Sequence, residues 1–335
     1  MEKPRPRNLP LRNKVGTYMN RKLLLLLVLS IGLLTSLQAI SSNADYGFKM
    51  LNIPVGVGIS AQSGTGSFSN MDASAFLENP VALVLRSERL ISFTQNSYLM
   101  DTNQNSIFYS YANNKRHFGI GLRNIDYDTI EKRDDTGQIV GFFHPLDLNL
   151  MVNTSYRILP DHYAGINAGL LYEKIDAASS YGMTFDFGYM FLPPIQDTKL
   201  YADIRNIGFT SKMDEESIKL PERFEWGISH DFTNIYNQPM KATLEFKSIS
   251  EVGSSWRGNV GVQVAYQDIF SFRFGSNLNY LLSDFINIDY HDAPTWSIGA
   301  GFYLTPFLVD YAYTPYRLVS SDMDSVHRVG VTYRF

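Results

Sequence analysis

The chain has 335 residues, a formal charge of −4 and no cysteine. The lack of thiols excludes disulfide scaffolds, thiolate metal sites and cysteine nucleophiles. With 14% aromatic and only 19% charged residues, the chain can bury ample surface and is not a disordered one.

The charge is unevenly distributed. Met1 to Ala39 carries seven Lys and Arg and a single acid, Glu2, which leaves 22 bases against 32 acids in the remainder. An acidic body lacks the basic stripe needed to displace phosphate counterions, so nucleic acid is excluded as a partner. Within the basic leader, Arg21 and Lys22 abut the apolar run Leu23 to Leu34. That run is about the length of a signal-peptide core and short of the roughly twenty residues of a membrane-spanning helix. Residues 1–39 are therefore expected to be a cleaved signal peptide ending at Ala39, with Met19 as an alternative start. Export is expected.

Residues 40–88 fit no strand pattern, and Asp72 to Arg86 holds the one helix-like stretch after the leader. Gly56, Gly58, Gly64 and Gly66 permit positive φ and close backbone approach. Further on, Asp72-Ala73-Ser74-Ala75 leads to Asn79-Pro80, where proline biases the preceding residue away from helix and Asn79 can form a turn. A compact N-terminal plug is expected here, packed against small inward residues such as Gly119, Gly121, Gly165, Gly169 and Gly261.

From Arg89 the hydropathy period is two. Met240, Ala242, Leu244 and Phe246 alternate with Lys241, Thr243, Glu245 and Lys247; Val329, Val331, Tyr333 and Phe335 alternate with Arg328, Gly330, Thr332 and Arg334. About fourteen such segments fill 89–335, an even number, and short connections alternate with long ones. The minor face is rich in Gly, Ala, Ser and Asn, and aromatic residues cluster near strand ends. This pattern predicts an all-β fold, a transmembrane outer-membrane β-barrel of about 14 antiparallel strands, over a soluble sandwich. Tyr333 and Phe335 mark the expected closing strand.

The glycine-rich stretch, the Asp72-Ala73-Ser74-Ala75 run and Asn79-Pro80, followed by Asn206-Ile207-Gly208 and Leu220-Pro221, resemble the PorV/PorQ family, itself related in fold to FadL-like transporters. The chain departs from that pattern at Glu78, where an aromatic is usual, and at Val81-Ala82-Leu83. The resemblance implies a plugged barrel that binds or shuttles secreted proteins in type IX-like secretion. Its partners would be cargo and secretion components at the loops holding Asp134, Asp135, Asp214, Glu215 and Glu216. The alternative is a FadL-like transporter of a hydrophobic ligand through the lumen. In either case outer-membrane lipids surround the wall.

Chemistry is sparse. His117, His144, His162, His230, His291 and His327 show no metal-ligand spacing. His291-Asp292, near Asp284 and Asp289, is the one His/Asp grouping suggestive of a hydrolase, and Asp322 with Asp324 lacks the rest of a calcium loop. No catalytic residue, metal site or cofactor is expected.

Overall fold

The computed structural model describes residues 46–98, 102–233, 235, 238–252, 256–267, 269–279, 281, 293–317 and 324–335. The expected signal peptide, His291, Asp292, Asp284, Asp289 and Asp322 lie outside the described residues.

Among the described residues fourteen strands form the closed wall, and Ala293–Pro294 adds a two-residue pairing to Arg317 and Tyr316. The fourteen are β1 (Arg89–Ser97), β2 (Asn103–Ala112), β3 (Arg116–Asp126), β4 (Leu146–Leu159), β5 (His162–Ile175), β6 (Ala178–Phe191) and β7 (Thr198–Thr210). After them come β8 (Arg223–Thr233), β9 (Met240–Glu251), β10 (Arg257–Tyr266), β11 (Phe270–Asn277), β12 (Trp296–Leu304), β13 (Phe307–Arg317) and β14 (Asp324–Arg334). Each pairs antiparallel with its sequence neighbour. The sheet closes where β1 meets β14, from Leu90 opposite Arg334 to Ser97 opposite His327. Closure removes the free sheet edges that lipid could not satisfy.

The two faces of the wall are inverted relative to a soluble protein. On β3 the outward residues are Phe118, Ile120 and Leu122, whereas His117 and Arg123 are buried inside. On β11, Phe272 and Phe274 point out while Ser271 and Arg273 point in. An apolar exterior around a polar interior is the arrangement expected when the outer wall meets hydrocarbon. No described helix is long and apolar enough to cross a membrane.

Two expected long loops contain structure of their own. Ile130–Arg133 pairs with Ile139–Phe143, and Lys212–Met213 pairs with Glu216–Ser217. Both hairpins lie at the end of the barrel opposite the short turns. Before β1, the helical content of the segment from Tyr46 is one 3-10 turn (Lys49–Asn52) and two short helices, α1 (Val57–Ser60) and α2 (Ala75–Glu78). The helical pattern anticipated over 72–86 therefore shrinks to a single turn, because Pro80 forces Asn79 into extended backbone, with φ −155° and ψ 118°.

Candidate functional site

The segment from Tyr46 to Arg86 is buried almost throughout. Its irregular backbone is withdrawn from water, so its polar groups need partners. Inward side chains of the wall supply them. Asn153 Nδ2 donates to the Pro80 carbonyl at 3.0 Å and Asn167 Nδ2 to Phe76 O at 2.9 Å. On the opposite side Asn259 Nδ2 donates to Ser63 O at 2.6 Å and Gln263 Nε2 to Ser69 O at 3.2 Å. The Ala73 N–H donates to Ser92 Oγ at 2.8 Å. The amide-rich minor face thus has a physical purpose: it completes the backbone of the segment it surrounds.

Inward glycines make the fit possible. A Cβ added at Gly119 would come within 2.5 Å of the Phe76 ring, and one at Gly165 within 2.5 Å of the Pro80 carbonyl. At Gly299 it would lie 2.6 Å from the Ala61 methyl, and at Gly261 it would overlap Thr65 and Gln62. Gly121 and Gly169 instead make room for wall side chains, Phe108 and Thr184 respectively. Within the segment, Gly64 and Gly66 both have φ +83°. Gly56 and Gly58 do not adopt positive φ. Gly56 is extended, and Gly58 sits in α1, where a side chain would overlap Asn70.

The other residues singled out from sequence are placed as follows. Asp72 Oδ1 accepts the Ser74 N–H and hydroxyl, each at 2.8 Å, and opens α2. Burial is the main influence on this carboxyl, and raises it above its ordinary 3.8. Asn79 Oδ1 accepts the Val81 N–H at 3.0 Å, and its Nδ2 reaches Asp203 Oδ2 at 3.3 Å. Asp134 is a turn former in the first hairpin. The Thr136 hydroxyl and the Gln138 N–H hold its carboxyl below the usual range. Asp135 is exposed beside it. Asp214 and Glu215 form the tip of the second hairpin with φ +47° and +72°, and Glu216 begins its return strand. Tyr333 packs edge-on against Phe335 at 4.8 Å and against Phe307 at 5.2 Å.

The structure also assembles a buried charge cluster that the sequence reading missed. Glu225 Oε1 lies 2.8 Å from Arg223 Nε, and Glu225 Oε2 lies 3.1 Å from Lys247 Nζ. Arg205 joins Glu225 at 3.5 Å to Glu78 of α2 at 3.4 Å. Arg205 also donates to the carbonyls of Leu77 and Glu78. A β-bulge lies beside the cluster. Opposite Asp186, β7 carries two residues, Arg205 and Asn206, and both side chains are buried. Asn206 sits at φ +61°; its N–H donates to Asp186 Oδ1 at 2.8 Å and its Nδ2 to Pro221 O at 2.8 Å. Burial by itself would raise the Glu78 carboxyl, but Arg205, then Lys247 and Arg223, outweigh it and hold it below its ordinary 4.5. The available signal was the period-two phase. Asp203 and Arg205, Arg223 and Glu225, and Glu245 and Lys247 are all pairs on the minor face.

A cavity of about 230 Å³ opens at the short-turn end between Met71 and Tyr303, Leu308 and Arg334. Another of about 300 Å³ opens at the hairpin end between Tyr46, Phe209, Ile218, Lys219 and Leu220. Among the described residues no group of three His, Asp or Glu is disposed to hold a metal.

No family model and no curated protein matches the sequence. Solved structures do match the fold. CymD, a monoaromatic hydrocarbon channel, is similar with a TM-score of 0.59 at 11% identity, over 87% of this chain and 99% of that one. The chain shares the barrel fold of this channel. The Pseudomonas putida toluene transporter TodX also superposes with a TM-score of 0.59 at 10% identity, over 89% of this chain and 99% of that one. These likenesses bear out the barrel fold and lend nothing to the PorV/PorQ part of the sequence resemblance.

Proposed function

We propose that the protein is a non-enzymatic outer-membrane barrel in which the segment 46–86 serves as a plug, and that it passes hydrophobic small molecules across the membrane. The observation that carries this reading is the near full-length superposition on two hydrocarbon channels. The cavities at the two ends are consistent with docking points on either side of the plug. Because inward wall groups grip the plug throughout, passage would require part of it to shift. Uptake of toluene by proteoliposomes holding the purified barrel tests the reading, against vesicles lacking protein. Uptake should stop when the plug is tethered by a disulfide between Ser63→Cys and Ser297→Cys, whose hydroxyls face each other at 3.3 Å, and resume on reduction. No uptake above the protein-free control would refute transport.

A second reading has specific support at the hairpin end. The hairpins carrying Asp134, Asp135, Asp214, Glu215 and Glu216 project beyond the strands, and the first exposes Val140 and Phe142 as well. This mixed surface suits docking of secreted proteins, as the PorV/PorQ resemblance implies. Purification from the native cell separates the two: stoichiometric secreted protein in the eluate, lost on trimming 130–143 or 212–217, favours docking over transport.

A further inference from the structure

At the short-turn rim, the outward faces of β1 to β4 form a row in which cations alternate with tyrosines. Arg89 is opposite Tyr111, with its guanidinium 5.3 Å from the ring centre, and Arg116 is opposite Tyr156. Tyr111 faces Phe118, two residues from Arg116 on the same face, so Tyr111 stands between the two arginines. Lys115 and Arg157 adjoin the row; the Arg157 N–H donates to Lys115 O at 2.8 Å. All four cations are exposed.

These cations differ from their neighbours in lacking acids. At the same rim Glu88 is held by Arg86 at 3.1 Å and Arg334 at 3.2 Å, and Asp231 by Lys199 and Lys241 at 3.0 Å each. Among the described residues, no carboxylate lies within ion-pair distance of Arg89, Lys115, Arg116 or Arg157. Immediately inward from the row the wall is apolar, with Phe93, Phe118, Ile120 and Val152 exposed. Cations at the edge of an apolar band, flanked by tyrosine hydroxyls, match a lipid that places phosphate at the rim and acyl chains along the wall. In outer-membrane barrels the short turns face the periplasm, which puts this row at the inner leaflet.

We propose that the β1–β4 rim is a binding site for anionic glycerophospholipid. It goes beyond the transport reading and requires only that the wall face lipid. Two arginines with bidentate fork geometry favour a phosphate diester, and the excess positive charge favours a headgroup without its own cation.

The test is native mass spectrometry of the folded barrel titrated with dioleoylphosphatidylglycerol or dioleoylphosphatidylcholine. The wild type should retain phosphatidylglycerol at lower concentration than phosphatidylcholine. Arg89→Gln with Arg116→Gln should weaken phosphatidylglycerol retention about tenfold and leave phosphatidylcholine unchanged. Lys174→Gln with Lys212→Gln removes the same charge at the opposite end and should change nothing. Heat-modifiable gel mobility confirms that each variant remains a barrel, independently of any transport activity. Equal retention of the two lipids by the wild type, or equal loss in both double variants, would overturn the proposal.

Discussion

Replacing Glu78 by Gln removes the carboxylate that the proposed plug, segment 46–86, contributes to the buried cluster while keeping its shape. Arg205, Arg223 and Lys247 would then share Glu225 alone as a close partner. Breaking a buried pair costs about 3–5 kcal/mol, and the lower end applies because Arg205 retains Glu225 and the carbonyls of α2. A loss of about 3 kcal/mol raises the population of the released plug roughly a hundredfold. The chain has no cysteine, so Ser67→Cys, at a fully buried plug position, supplies a single thiol. When opening is fast compared with labelling, the maleimide reaction rate follows the open population. The rate at this introduced thiol should therefore rise about a hundredfold in the Glu78→Gln background. Adding Arg205→Gln should raise it by much less than the two single effects together, since the residues share one interaction. A labelling rate within about threefold of the parent would refute the ionic seating of the plug.

The pH dependence of the same rate follows from the two plug carboxylates. Glu78 is depressed when seated, so its contribution is complete above its ordinary 4.5 and is lost as pH falls through the lower seated value. Asp72 is raised, so its contribution is complete below 3.8 and is lost as pH rises through the higher seated value. Asp72→Asn should thus slow labelling at neutral pH relative to the parent, and Glu78→Gln should flatten the acid limb. Ile120→Lys, on the outward face of β3, should cost about 2–4 kcal/mol in urea unfolding from lipid vesicles if that position faces hydrocarbon, and little if it faces water. Asn206→Ala leaves a non-glycine residue at φ +61° without its amide bond to Pro221, and should destabilise the barrel by about 1–3 kcal/mol in the same assay.

The Glu78 position shows how sequence and structure divide the information. Against the family pattern, an acid replacing an aromatic reads as erosion. In the barrel it is matched by Arg205, a residue 127 positions away that points inward from a strand far along the chain. The Asn206-Ile207-Gly208 motif was visible, but its role was not, because a bulge is defined by two residues facing one across the ladder and the partner strand is not written in the local chain.

By itself the sequence determined what depends on local period and composition. Alternation at period two set fourteen strands, and turn lengths set their order. The phase of alternation fixed which face is apolar, so the two faces were legible at Leu244 and Lys247 alike. Glycine positions such as Gly119 and Gly165 announced that something would approach them. Only the tertiary structure decided what that was: Phe76 and the Pro80 carbonyl, held by amides of β4 and β5. It alone drew the rim cations of β1, β3 and β4 into one row. Closing the sheet converts residues far apart in sequence into neighbours across an interior, and that long-range register has no local signal in the chain.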